Sequence, residues 1–207
     1  MVSGISTRER ILETAGRLFA ERGRQATTVR DIVREAGVNQ AAINYHFRDK
    51  DNLYFEVLEH GARAAFDRFP ADGGVGCDQP PELRLQGVIQ ACLGRGLSAD
   101  RNSWHGRLMV REMEDPSPDF LRLVDRIIGE MMPLLEDIVG SLNPRLEEQQ
   151  RWLCCHSLMS LCHGLCKGDV FLARTRPQWQ ELSDPQRLDL LAQHLYRFCL
   201  VAIGGMQ

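Results

Sequence analysis

Residues 27–47 read TTVRDIVREAGVNQAAINYHF, and this stretch predicts two short helices joined by a tight turn. Val29, Ile32, Val33 and Ala36 recur at helical spacing and give the first helix one apolar face, with Arg30, Asp31, Arg34 and Glu35 on the other. Thr28 with Asp31 three residues on marks the start: a hydroxyl can accept from the free backbone N–H groups, and a carboxylate sits near the positive helix end. Gly37 stands where a left-handed residue ends a helix, Val38 is an apolar plug for the turn, and Asn39 can cap the second helix. That helix runs from Gln40 to Phe47. Ile43 and Phe47, four apart, share its inner face and leave Gln40, Ala41, Asn44, Tyr45 and His46 outward or on the flanks.

A short helix carrying amides and small methyl-bearing residues, with no exposed carboxylate, suits the major groove of DNA. Gln and Asn can pair in bidentate fashion with adenine, and Ala can touch a thymine methyl. A plain helical hairpin with polar solvent faces carries the same local signals.

The wider chain separates the two. ILETAGRLFAERG, TTVRDIVREAGVNQAAINYHF and RDKDNLYFEVL, spread over Ile11 to Leu58, resemble the DNA-binding domain of the TetR family of transcriptional regulators. Gly23, Thr28, Ile32, Ala36, Gly37, Val38, Tyr45, Phe47, Lys50 and Leu53 stand in that family's order. NQAAINYHF, REMEDPSP at Arg111–Pro118 and Pro133 inside a later helix are similar to its CecR-type subgroup. The resemblance implies that Thr28, Arg30, Tyr45, His46 and Lys50 contact phosphates, while Gln40, Ala41 and Asn44 lie where base edges are read. It also implies a homodimer, a pseudo-palindromic double-stranded operator, a small-molecule effector and repression.

Composition agrees with a globular, all-α protein: 43% of residues are hydrophobic and 26% charged, and no β-type alternation is sustained. No apolar run approaches the ~20 residues that span a bilayer, and MVSGISTRER lacks a signal peptide's apolar core. Cytoplasm is the expected location, with no membrane partner. The net charge is −3, yet residues 1–50 hold nine Lys/Arg against six Asp/Glu, so the basic end can meet phosphate while the acidic body stays in solvent. No nucleophile motif, phosphate loop or H-E-x-x-H is present, so neither an enzyme nor a cofactor is expected.

About nine helices are expected. The first spans Thr7–Arg22, with Ser6 and Glu9 as a capping box and Gly23 as its stop. A linker helix at 50–69 follows, capped by Asp49. The Gly/Pro-rich segment 70–81 is the main loop. Later helices cover 82–97, 104–113, 120–142, 144–173 and 184–203, with Pro133 expected to kink the third of these. The DNA-binding domain is read as 1–49 and the effector-binding and dimerisation domain as 50–207.

The last two helices, with Leu153, Leu158, Leu161, Leu165, Val170 and Phe171 on one and Leu188, Leu191, Leu195, Phe198, Leu200 and Val201 on the other, are too apolar for one neighbour each. Paired with their copies they would form a four-helix interface. Effector-pocket candidates are Trp104, His105, Met109, Met113, Met131, Met132, Met159 and His163, although Met and Trp at helical spacing also describe a core. Cys155, Cys162 and Cys166 share a helical face near His156 and His163 and could bind metal or sense oxidants. Cysteines embedded in Leu and Met are also ordinary core residues.

Overall fold

The computed structural model describes residues 6–97 and 103–206, with 169 and 170 described by backbone alone, so the side chain of Val170 lies outside the described residues. Ten helices and no strands occur among them: α1 (Thr7–Ala26), α2 (Val29–Ala36), α3 (Gln40–Phe47), α4 (Lys50–Arg68), α5 (Pro81–Leu97), α6 (Trp104–Glu114), α7 (Pro118–Leu142), α8 (Glu148–Thr175), α9 (Gln178–Glu181) and α10 (Asp184–Gly205). The all-α expectation is met. The helix absent from the sequence reading is α9, a four-residue turn too short for periodicity to register. Helix α8 begins at Glu148 rather than Pro144, because Glu147 and Gln150 form a capping box there. Helix α7 continues through Pro133.

Residues 1–64 with 100–126 form one compact unit, and residues 65–99 with 127–207 another. In the first unit, Ile11, Ala15, Leu18 and Phe19 of α1, Ile32 of α2, Ile43 and Phe47 of α3, and Leu53, Val57 and Leu58 of α4 are buried together. Gly23 ends the regular part of α1 with φ +82°, a left-handed value that glycine adopts without a Cβ penalty. Helix α6 also packs on α1. Gly16 makes this approach possible: a Cβ there would lie 2.3 Å from Cζ3 of Trp104. Arg24 closes the unit with ion pairs to Asp51 at 2.8 Å and Asp119 at 3.5 Å.

The second unit is a helical layer structure in which α5 packs on both α8 and α10. Its core joins Leu85, Val88, Ile89 and Leu93 of α5, Leu135, Ile138 and Val139 of α7, Cys155, Leu158 and Cys162 of α8, and Leu191, Leu195, Cys199 and Ile203 of α10. Asn143 satisfies the carbonyls at the end of α10, donating from Nδ2 to Ile203 O at 2.8 Å and to Met206 O at 3.0 Å. Buried Arg84 pairs with Asp137 at 2.7 Å.

Candidate nucleic-acid interface

The α2–turn–α3 unit is held by caps at each junction. Thr28 Oγ1 accepts from Asp31 N–H at 3.1 Å and donates to Asp31 Oδ2 at 2.5 Å, while Thr28 N–H donates back to that carboxylate at 3.3 Å. These bonds from the Thr28 hydroxyl and N–H, with Arg34 alongside, hold the Asp31 carboxyl below its usual pKa. Gly37 takes φ 63°, ψ 40°, and Val38 N–H returns to Val33 O at 3.1 Å, closing the turn. Asn39 Oδ1 then accepts from Ala42 N–H at 3.0 Å and starts α3. Ile32, Ile43 and Phe47 lock the two helices together from beneath.

What α3 leaves outside is polar and uncharged. Gln40, Ala41, Asn44 and Tyr45 are exposed, Tyr45 to 84%, and His46 is half-buried with its ring edge-on to Tyr45 at 4.9 Å. No carboxylate lies on α3. Thr28 and Arg30 are exposed on the adjoining end of α2. Lys50 is placed differently: its ammonium donates to Arg24 O and Thr27 O, both at 2.9 Å, and ties the start of α4 to the end of α1. Exposed Arg48, the cap residue of α3 at φ 71°, adds a cation beside this face that sequence reasoning did not single out.

Of the eight effector candidates, four belong to the first unit and four to the second. Trp104, His105, Met109 and Met113 are on α6, with Trp104 buried and Met113 42% exposed. Met131 is buried in α7, Met132 and Met159 border the second core, and His163 is exposed. Burial holds the His105 and His163 imidazoles below their usual pKa, in His163 with help from the charge of Lys167. Two grooves open on the second unit. One of about 570 Å³ is bordered by Glu136, Glu147, Glu148, Gln149 and Trp152, and one of about 400 Å³ by His194, Arg197, Phe198, Val201 and Ala202. None of the eight candidates borders either groove.

Cys155, Cys162 and Cys166 are buried in the second core. Among the described residues they do not converge as a three-ligand set. Cys162 instead donates to Cys92 of α5, whose sulfur also receives Arg95 Nη2 at 3.1 Å. The Cys162 bond and the Arg95 charge outweigh burial and bring the Cys92 thiol down to about 7, while the same bond and burial push Cys162 up. Cys92 and Arg95 lie three apart on one helix, a spacing that could have flagged them from sequence.

A capped helix pair, a glycine turn and a polar, carboxylate-free outer helix define a helix-turn-helix protein. The chain belongs to the TetR family: residues 11–57 match "Bacterial regulatory proteins, tetR family", and residues 81–203 match "HTH-type transcriptional dual regulator CecR, C-terminal domain". Among curated relatives, it is 38% identical over 86 residues to the HTH-type transcriptional repressor KstR2 of Mycobacterium tuberculosis, covering 42% of each chain. It is 28% identical over 144 residues to the HTH-type transcriptional repressor Rv3405c of the same organism, covering 66% of this chain and 59% of that one. It thus spans under two thirds of the length of these relatives. A crystal structure of AibR in complex with isovaleryl coenzyme A and operator DNA has the same fold, with a TM-score of 0.64, 18% identity and coverage of 92% and 98%. So does a bacterial regulatory protein in the tetR family from Rhodococcus RHA1, with a TM-score of 0.66, 18% identity and coverage of 98% and 100%.

Proposed function

We propose that the protein is a transcriptional repressor that binds a pseudo-palindromic operator as a homodimer and is released by a small molecule. The observation that carries this reading is the exposed face of α3, where Gln40, Ala41, Asn44 and Tyr45 stand free of any carboxylate on a helix anchored by Ile43 and Phe47. In the major groove, Gln40 and Asn44 would meet base edges, each bidentate pair being worth ~1–3 kcal/mol of discrimination, and Ala41 a thymine methyl. Arg30, Tyr45 and His46 would fix the register on phosphates, and Thr28 would join them by turning to phosphate the hydroxyl hydrogen it otherwise gives to Asp31. Lys50 would do so with the one ammonium hydrogen its two backbone bonds leave over.

Two such heads must be spaced by about one helical turn, ~34–36 Å. The apolar side chains left exposed on α8 and α10, Leu153, Leu161, Phe171, Phe198 and Val201 among them, support dimerisation of the second unit. The functional division is then near Asp49: residues 1–49 read DNA, and residues 50–207 dimerise and bind the effector. An effector that favours another head spacing lowers operator affinity by its differential binding to the two states. AibR, similar in fold, was crystallised with isovaleryl coenzyme A and operator DNA, which supports this reading. The protein would act in the cytoplasm by binding rather than catalysis.

The test is selection of bound sequences from a random duplex pool with the purified protein and with Asn44→Ala. An enriched palindrome with wild type, lost or relaxed at one base position per half-site in the variant, is the expected result. No enrichment by a folded, dimeric protein would overturn the assignment.

A further inference from the structure

Helices α1, α4 and α6 each place one metal-ligating side chain at the same point of the first unit. Glu13 comes from α1, His60 from α4 and His105 from α6, and one ligand atom from each lies within 4.8 Å of the others. The His60 Nε2 to Glu13 Oε1 distance is 3.8 Å. We propose that these three residues form a binding site for a divalent transition-metal ion of the zinc type, separate from the DNA-reading face.

Three observations beyond proximity support it. First, His105 Nε2 is buried and has no hydrogen-bond partner, a state that carries a desolvation cost in the absence of a ligand. Second, its ring is fixed: it stacks on Trp104, with centroids 3.4 Å apart, and its Cδ2 lies 3.0 Å from the position a Cβ on Gly61 would occupy. Third, the carboxylate is oriented from outside the trio, because Trp104 Nε1 donates to Glu13 Oε2 at 2.8 Å and leaves Oε1 facing His60. Ligand orientation by such an outer hydrogen bond is a regular feature of metal sites.

Two imidazoles and one carboxylate are a borderline donor set that suits Zn²⁺, Co²⁺ or Ni²⁺ better than Mg²⁺ or Ca²⁺, which take oxygen ligands. Ligands at ~2.0–2.1 Å from a tetrahedral ion stand ~3.3 Å from one another. The trio therefore needs to draw in by about an ångström. His60 and Glu13, with side chains 43% and 51% exposed, have the freedom to do so around a fixed His105. One coordination position would remain for water. The ion would pin α6 to α1 and α4, so its binding stabilises the first unit as a whole.

The experiment uses the full chain, stripped of metal with a chelator and titrated with Co²⁺ under reducing conditions. Expected is one Co²⁺ per chain with a ligand-field spectrum free of the sulfur-to-cobalt charge-transfer band that cysteine ligation gives, and a rise in melting temperature. Glu13→Gln and His60→Gln, both at half-exposed positions, should each weaken uptake by at least tenfold. In wild-type protein, Zn²⁺ should shift the imidazole ¹⁵N resonances of His60 and His105 and leave the other four histidines in place, a readout that requires no variant. No stoichiometric uptake overturns the proposal. So does uptake that carries the sulfur band, survives His60→Gln or leaves the His60 and His105 resonances unmoved.

Discussion

The hydroxyl of Tyr54 on α4 donates to Oε1 of Glu112 on α6, fifty-eight residues further along, and both side chains are buried. The other oxygen of Glu112 accepts from the Ser117 N–H at 2.9 Å and the Ser117 hydroxyl at 2.7 Å, so both carboxylate oxygens have partners. Tyr54→Phe leaves the packing intact and removes one of these bonds. The loss expected is ~1–3 kcal/mol, the cost of stripping a buried acceptor of its partner, measured by denaturant unfolding at neutral pH. Burial, and then the bond to Glu112, raise the phenol's pKa. A raised folded pKa means the stabilisation is fully present below the ordinary tyrosine value of ~10 and is lost as pH climbs beyond it. The wild-type advantage over Tyr54→Phe should shrink in alkaline buffer.

Gly16 faces the edge of the Trp104 ring. A Cβ at residue 16 would sit 2.3–2.5 Å from three ring carbons, and the ring cannot swing away without breaking its bond to Glu13 and its stack on His105. Gly16→Ala should cost ~1–3 kcal/mol through overpacking, despite alanine's better helix propensity. Trp104 emission, isolated in a background lacking Trp152 and Trp179, should change with it.

Thr28 and Asp31 start the helix that supports α3. Thr28→Ala removes the hydroxyl that accepts from Asp31 N–H, and ~0.5–2 kcal/mol of stability is expected to go. The Asp31 pKa is lowered in the folded state, with the Thr28 hydroxyl as first cause. Its contribution is therefore present above the unfolded aspartate value and lost as pH falls through the folded one. Thermal melts should show the gap between wild type and Thr28→Ala narrowing in acid.

Phe198 is 55% exposed and Val201 75% exposed on α10, and both border the groove of about 400 Å³. In the proposed homodimer, charges placed there would be desolvated in a helix-to-helix interface. Phe198→Glu with Val201→Glu should shift the protein to monomer in sedimentation, with helicity retained. A variant that stays dimeric would place the interface elsewhere.

Cys92 should be the thiol whose alkylation rate turns on near pH 7, since its value is brought down to about 7. Cys155 and Cys199 are pushed up to about 12 and about 11 by burial and should lag. Arg95→Met removes the cation 3.1 Å from the Cys92 sulfur and should move the midpoint upward, as read by mass spectrometry of iodoacetamide-labelled peptides.

Most of the helical architecture was legible along the chain, because its signals are local. Ser6 with Glu9, Thr28 with Asp31, and Asn39 with Ala42 are contacts three residues apart, and the left-handed backbone of Gly23 and Gly37 is a property of the residue itself. The exposed face of α3 followed from the same 3.6-residue period once Ile43 and Phe47 were assigned to the core. Lys50 shows where that reasoning stops. The family resemblance implies a phosphate contact for it; that two backbone carbonyls at the end of α1 also accept from its ammonium is a pairing across more than twenty residues that no local pattern encodes.

The effector candidates were chosen by residue type and spacing, and the fold distributes them over two compact units. The cysteines of α8 shared a helical face, but which sulfur met which depended on how α5 packed against them, so Cys92 entered the cluster only in three dimensions. The meeting of Glu13, His60 and His105 is of the same kind. The sequence by itself determined the helices, their caps and the polar face of α3, since these depend on neighbours within one turn. Only the tertiary structure decided the Tyr54–Glu112 bond, the seat of Trp104 on Gly16 and the His/His/Glu cluster, because each depends on the distance between helices far apart in the chain.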